Sequence, residues 1–200
     1  MSLSNIQAAL LAKGYHEFNR PFELNIVGIR ADSTSPNLFD DSINLYYKTT
    51  DGNWQLHQFP ATTDPGTYWL ENPLNPQGTA ILKAGQYIGS HTIGMHRGKY
   101  EALVQQRPVT VIREYDRKAV LDLLNGQEDT GLFGINIHHA QAEGITKYVD
   151  KFSAGCQVFA NIADFTLFMQ LCYRHRGLYG NIFTYTLIDE RSLSREAKKK

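Results

Sequence analysis

The stretch Ile43-Asn44-Leu45-Tyr46-Tyr47-Lys48-Thr49-Thr50-Asp51-Gly52-Asn53-Trp54-Gln55-Leu56 decides the fold class. Ile43, Leu45 and Tyr47 recur at period two, which puts them on one face of an extended chain. Asp51-Gly52 has the chemistry of a tight hairpin turn, and Trp54 and Leu56 resume the alternation beyond it. This is strand, turn, strand.

Outward from the hairpin, residues 23 to 114 read mostly as strand and turn. Asp64-Pro65-Gly66 punctuates the chain before Thr67-Tyr68-Trp69-Leu70, which reads as a strand. Residues 71–78 carry two prolines and two asparagines and read as loop. Four glycines between Gly85 and Gly98 suggest turns between short strands, and no Lys-Ser/Thr follows them in a phosphate-loop pattern. Val109, Val111 and Ile112 mark a further strand. Phe133, Ile135 and Ile137 alternate with Gly134, Asn136 and His138, so residues 132–138 read as a strand with His138 on its polar face. Residues 182–188 read as the last strand.

Helical signals are fewer. Ser4-Asn5-Ile6-Gln7 has capping-box spacing, Ile6, Ala9 and Leu10 share a face, and Gly14 ends the segment. Residues 117–124 suggest a second helix closed by Asn125-Gly126. Asn161 caps a third, with Ile162, Phe165, Phe168, Met169 and Cys172 at helical spacing and Gly177 following it. The expectation is a mainly β chain with two or three helices. Residues 1–22 form an N-terminal helical segment, residues 23–190 a single domain, and residues 191–200 a basic, flexible tail.

The chain has 200 residues, enough for one domain with a proper core. Twenty basic side chains balance twenty acidic ones, so no overall field favours nucleic acid or anionic lipid as a partner. No apolar run is long enough for membrane insertion. The N-terminus lacks a basic n-region and an apolar run, so synthesis in the cytoplasm without a signal peptide is expected. The two cysteines, Cys156 and Cys172, cannot form a disulfide framework. Cys172 lies on an apolar helical face and reads as a packing residue. Cys-x-x-Cys, His-x-x-x-His and His-Glu-x-x-His spacings are missing, so no metal is expected.

The chemistry concentrates in Ile135-Asn136-Ile137-His138-His139-Ala140 and Ser153-Ala154-Gly155-Cys156-Gln157-Val158. A thiol attacks a carbonyl as thiolate, and an unaided cysteine is mostly protonated near neutrality. An imidazole beside it takes the proton and returns it to the leaving amine. Cys156 is therefore the candidate nucleophile and His138 its base. Small residues before the cysteine let substrate approach, and N–H groups at Gly155 and Cys156 are candidates for holding an oxyanion. His96 and Arg97 are weighed as groove-lining residues, with Arg97 a partner for a substrate carboxylate.

These residues resemble the L,D-transpeptidase catalytic domain family, in which a strand ending in His precedes a Ser-His-Gly-Cys motif. Here His138 precedes Cys156 by 18 residues and the motif reads Ser153-x-Gly155-Cys156. Thr63-Asp64-Pro65-Gly66-Thr67-Tyr68 is similar to the family's upstream Thr-Pro-x-Gly-x-Phe/Tyr element. The resemblance spans residues 59–158. It departs from the family at Ala154, where a His is usual, and at Gln157-Val158. It implies an L,D-transpeptidase-like β-sandwich or barrel catalytic domain with a short N-terminal helix. The implied activity is cofactor-free, cysteine-dependent acyl transfer or hydrolysis on peptidoglycan stem peptides, with the His139 carbonyl orienting His138. It further implies action at the bacterial cell wall after release or dedicated export, as in a phage, prophage or effector protein. The alternative is a non-catalytic wall-binding or virion structural protein that keeps the fold. The oligomeric state is left open.

Overall fold

The computed structural model describes residues 1–33, 35–114 and 118–197. In chain order the elements are α1 (Leu3–Ala12), β1 (Asn25–Arg30), β2 (Asp41–Lys48), β3 (Trp54–Thr62), α2 (Thr67–Glu71), β4 (Thr79–Leu82), β5 (Gly85–His96) and β6 (Tyr100–Gln105). There follow β7 (Val109–Glu114), β8 (Gln127–Gly131), β9 (Ile137–His139), β10 (Gln157–Phe159), α3 (Ile162–Tyr179), β11 (Phe183–Asp189) and α4 (Glu190–Ala197). The chain is mainly β with a few helices. Eight strands close into a barrel in the order β1-β11-β5-β6-β9-β10-β3-β2, and β4, β7 and β8 form a separate three-stranded sheet.

The hairpin stands as read. β2 and β3 pair antiparallel from Asp41↔Ala61 to Lys48↔Trp54, and Gly52 takes φ +84° in the turn between them. Ile43, Leu45 and Tyr47 face the main core with Ile26, Phe59, Tyr185 and Leu187. The other face of this part of the barrel is also buried. Val27, Ile29, Tyr46 and Ile188 pack against Ile6, Ala9 and Leu10 of α1 and Leu193 of α4. That is why β1 is buried at every position and shows no alternation.

Seven expectations need correction. The cap of α1 is Ser2, whose hydroxyl accepts from the Asn5 N–H, so the helix starts ahead of Ser4. Residues 67–71 are one turn of helix. Gly66 is tied down by donating its N–H to the Ser153 carbonyl, and Leu70 plugs a pocket against Ile81 and Leu121. Residues 118–126 are bends: the Asp122 carboxylate accepts from the Leu124 and Asn125 N–H groups, a local bond that competes with helix. Arg117, at the start of that expected helix, lies outside the described residues. Residues 85–96 are one long strand, and α3 continues through Gly177 to Tyr179, where Gly180 at φ +91° ends it. Only residues 137–139 of the expected 132–138 strand are strand, and α4 occupies 190–197, where a flexible tail is expected.

Candidate active site

β9 and β10 lie side by side and parallel, with Gln157 opposite Ile137 and Val158 opposite His138. Paired residues of parallel strands share a face. Cys156, one residue ahead of β10, therefore sits beside Asn136, and the Gln157 N–H donates to the Asn136 carbonyl at 2.9 Å. On the far side, α3 braces both strands: Phe165 meets the His139 ring at 5.0 Å and Phe159 at 5.5 Å.

His138 is buried, and its Nδ1 lies 2.8 Å from the His139 carbonyl oxygen. A carbonyl only accepts, so Nδ1 carries the proton and the lone pair is on Nε2. The Tyr100 hydroxyl donates to the same carbonyl at 3.3 Å and stands 3.3 Å from Nδ1. The ring is sandwiched further by His96, stacked at 4.1 Å, whose Nδ1 is 3.1 Å from the Asn136 amide nitrogen. Burial, then the neighbouring His96, push His138 down to about 3, and burial pushes His96 down to about 4. Both rings are neutral at pH 7. The His139 ring stacks on Tyr100 at 4.1 Å, and its buried Nδ1 has no partner among the described residues.

Cys156 is free and partly exposed, whereas Cys172 is free and fully buried with Phe165, Phe168 and Met169 in the main core. The Cys156 thiol donates to the Gly134 carbonyl at 3.3 Å, and it makes no hydrogen bond to His138 in this conformation. Burial pushes the thiol up; the Asn136 N–H and the positive charge of Arg97 oppose this. Arg97 occupies the tip of the β5–β6 hairpin at φ +51°, followed by Gly98 at +68°, and the Lys99 N–H closes the turn on the His96 carbonyl. Arg97 is exposed and has no ion-pair partner among the described residues.

The loop before Cys156 is held from three directions. Buried Ser153 accepts from the Gly155 N–H at 3.2 Å and donates to the Cys156 carbonyl at 2.8 Å. The Gly155 N–H is thus engaged within the loop; the Cys156 N–H has no acceptor among the described residues. Gly155 has φ +120°, and a Cβ there would stand 2.0 Å from the Ala80 carbonyl oxygen, so only glycine fits. Gln157 points inward, accepting from the Tyr185 hydroxyl at 2.7 Å and donating to the Thr63 and Gly155 carbonyls.

The upstream element Thr63-Asp64-Pro65-Gly66 docks on this same loop. Gly66 donates to Ser153, a Cβ on Gly66 would meet the Asp150 carbonyl at 2.0 Å, and the Trp69 indole N–H donates to the Lys151 carbonyl. Arg30 clamps Asp64 at 2.8 Å from inside the barrel. Tyr100 and Asn136 were not singled out from sequence; Tyr100 lies on β6, which only the sheet pairing brings to β9.

Among the described residues no group of three His, Cys, Asp or Glu side chains is placed to hold a metal ion. No helix of the described residues is long and apolar enough to cross a membrane. The arrangement offers a partly exposed thiol, a neutral imidazole fixed in one tautomer on the neighbouring strand, and a backbone N–H with no acceptor among the described residues. Comparison with known proteins returns no match among family models, curated proteins or solved structures.

Proposed function

We propose that this chain is a cysteine-dependent acyl transferase or hydrolase of the L,D-transpeptidase type, acting on peptidoglycan stem peptides, and that its barrel is the corresponding catalytic fold. The reading is carried by the parallel pairing of β9 with β10. It brings Cys156 to the same face as His138, whose Nδ1 is committed to the His139 carbonyl. Docking of the Thr63–Gly66 element on the Ser153–Cys156 loop supports it, because the separate sequence pieces of the resemblance meet in space.

In the proposed reaction the Cys156 side chain swings from Gly134 toward His138. Nε2 takes the thiol proton as sulfur bonds to the carbonyl carbon of an amide beside a D- or meso-configured centre. The Cys156 N–H, rather than that of Gly155, faces the developing oxyanion. The imidazolium then protonates the leaving amine, and a second amine or water releases the acyl group from sulfur. No cofactor takes part. Action at the cell wall, reached by release or dedicated export, follows from the substrate.

The rival reading, a non-catalytic wall-binding or virion structural protein, draws on the resting thiol facing Gly134 and on Ala154 in place of the motif His. Intact-mass analysis after treatment with a carbapenem separates the two. The enzyme reading expects one stoichiometric adduct, on Cys156; a chain that stays unmodified supports the rival.

A further inference from the structure

A cavity of about 240 Å³ opens against the loop that carries Cys156. Its walls include Trp69, Leu74, Thr79, Arg113, Phe133 and Ala154. Its lining shares the loop that carries the thiol. Ala154 is two residues before Cys156, and Phe133 adjoins Gly134, whose carbonyl accepts from the thiol. Ala80, another wall residue, presses its carbonyl against Gly155. The imidazole pair of His96 and His138 and this pocket are thus built from different elements, and the pocket shares the Cys156 loop through Ala154. A side chain larger than alanine at position 154 would project into space the pocket now holds.

The lining states what the pocket can take. Trp69, Leu74 and Phe133 offer apolar area. Arg113 is buried, with its guanidinium 4.7 Å over the Phe133 ring. Its Nε and Nη2 donate to Asp129 and its Nη1 donates to the Gly78 carbonyl. A guanidinium has five N–H donors. One N–H on each terminal nitrogen is thus left without an acceptor among the described residues, on a side chain that lines the cavity. Asp129 balances the charge of Arg113 at 3.0 Å, and every other lining residue is neutral. A partner with an acceptor oxygen on an uncharged, partly apolar body matches both facts; a free carboxylate has no unbalanced cation to meet here.

We infer that this pocket binds an uncharged peptide segment of the acyl donor, its amide carbonyl accepting from Arg113, and that Ala154 sets which segments enter. The inference rests on the reading of Cys156 as nucleophile. The test compares alkylation of Cys156 by iodoacetamide and by a chloroacetyl-capped dipeptide amide, followed by intact mass. In the wild type the peptide reagent should react saturably, at a rate set by binding. Ala154→Phe, which fills the pocket, should lose at least tenfold of the peptide-reagent efficiency while iodoacetamide reacts within twofold of wild type. Leu74→Asp should show the same split; Leu74 is 75% exposed, so this change leaves the fold intact. A peptide-reagent rate that stays linear in concentration overturns the pocket assignment. So does a pair of variants that slow neither reagent or both alike, or saturation that requires a free carboxylate on the peptide. If iodoacetamide modifies Cys156 no faster than Cys172, the nucleophile reading itself fails, which is a distinct result.

Discussion

His138 Nδ1 sits 2.8 Å from the carbonyl oxygen of the very next residue, His139. That contact fixes the proton on Nδ1 and frees Nε2, whatever side chain position 139 bears. A histidine so arranged is prepared to accept a proton, but burial beside His96 holds its pKa near 3. The thiol is pushed in the opposite direction, upward. The resting pair is therefore neutral thiol and neutral imidazole, and proton transfer must accompany attack.

The first prediction follows from that pair. The alkylation rate of Cys156 by iodoacetamide should keep rising with pH beyond 9, with no plateau near neutrality, because no thiolate is preformed. His138→Ala should change this small-reagent profile little, yet cost amide turnover at least a hundredfold, since only turnover needs the proton returned. A rate plateau between pH 6 and 8 would show a preformed ion pair and contradict this.

Acid should destabilise the fold. His91, His96 and His138 are buried and held neutral, at about 4, 4 and 3. Their unfolded forms gain a proton below about pH 6.5 that the folded forms refuse, so stability is present above that pH and lost as pH falls toward 3. The loss is at most about 1.4 kcal/mol per histidine for each pH unit. Asp41, pushed up to about 7 by burial and by Asp64, works the other way between pH 7 and 4 and offsets about one histidine. Denaturant melts from pH 7 to 4 should show the net fall, and His138→Asn should make it shallower by up to one proton. An unchanged slope in that variant contradicts the assignment.

Gly155→Ala should be costly out of proportion to one methyl group. The residue has φ +120° and its Cβ would overlap the Ala80 carbonyl. A loss of about 2–4 kcal/mol in chemical denaturation is expected. Cys156 should also lose reactivity, as the Ser153 bonds that hold the loop are disturbed. A variant within about 0.5 kcal/mol of wild type would mean the loop relaxes freely.

Arg97 should act through its charge. Arg97→Gln should slow alkylation by negatively charged iodoacetate three- to tenfold more than alkylation by neutral iodoacetamide, and Arg97→Lys should restore most of the difference. Equal effects on the two reagents would leave the guanidinium without influence on the thiol.

The hairpin, α1 and α3 were legible because their apolar residues repeat at a single period over several turns or strand pairs. Thr67–Leu70 was not: β-prone aromatic residues there yield to the anchoring of Gly66 on Ser153, a contact 87 residues away in sequence. Cys156 and His138 were picked out as candidates from residue type and spacing. Tyr100 and Asn136 were not, since the pairing of β6 with β9 brings them together, and no local pattern encodes that pairing. Gln157, which looks like a departure in the motif, has a structural reason: its amide satisfies the buried Tyr185 hydroxyl and the Thr63 and Gly155 carbonyls.

The central claim is a covalent route through Cys156, and the most direct measurement is mass spectrometry of purified peptidoglycan stem peptides incubated with the protein. Wild type should cleave or exchange a peptide bond at the third residue of the stem. Cys156→Ala, with its fold checked by circular dichroism, should leave the peptides unchanged, because removing the nucleophile removes the route rather than slowing it. Full activity in Cys156→Ala, or a wild type that binds sacculi and alters no stem, would contradict the account.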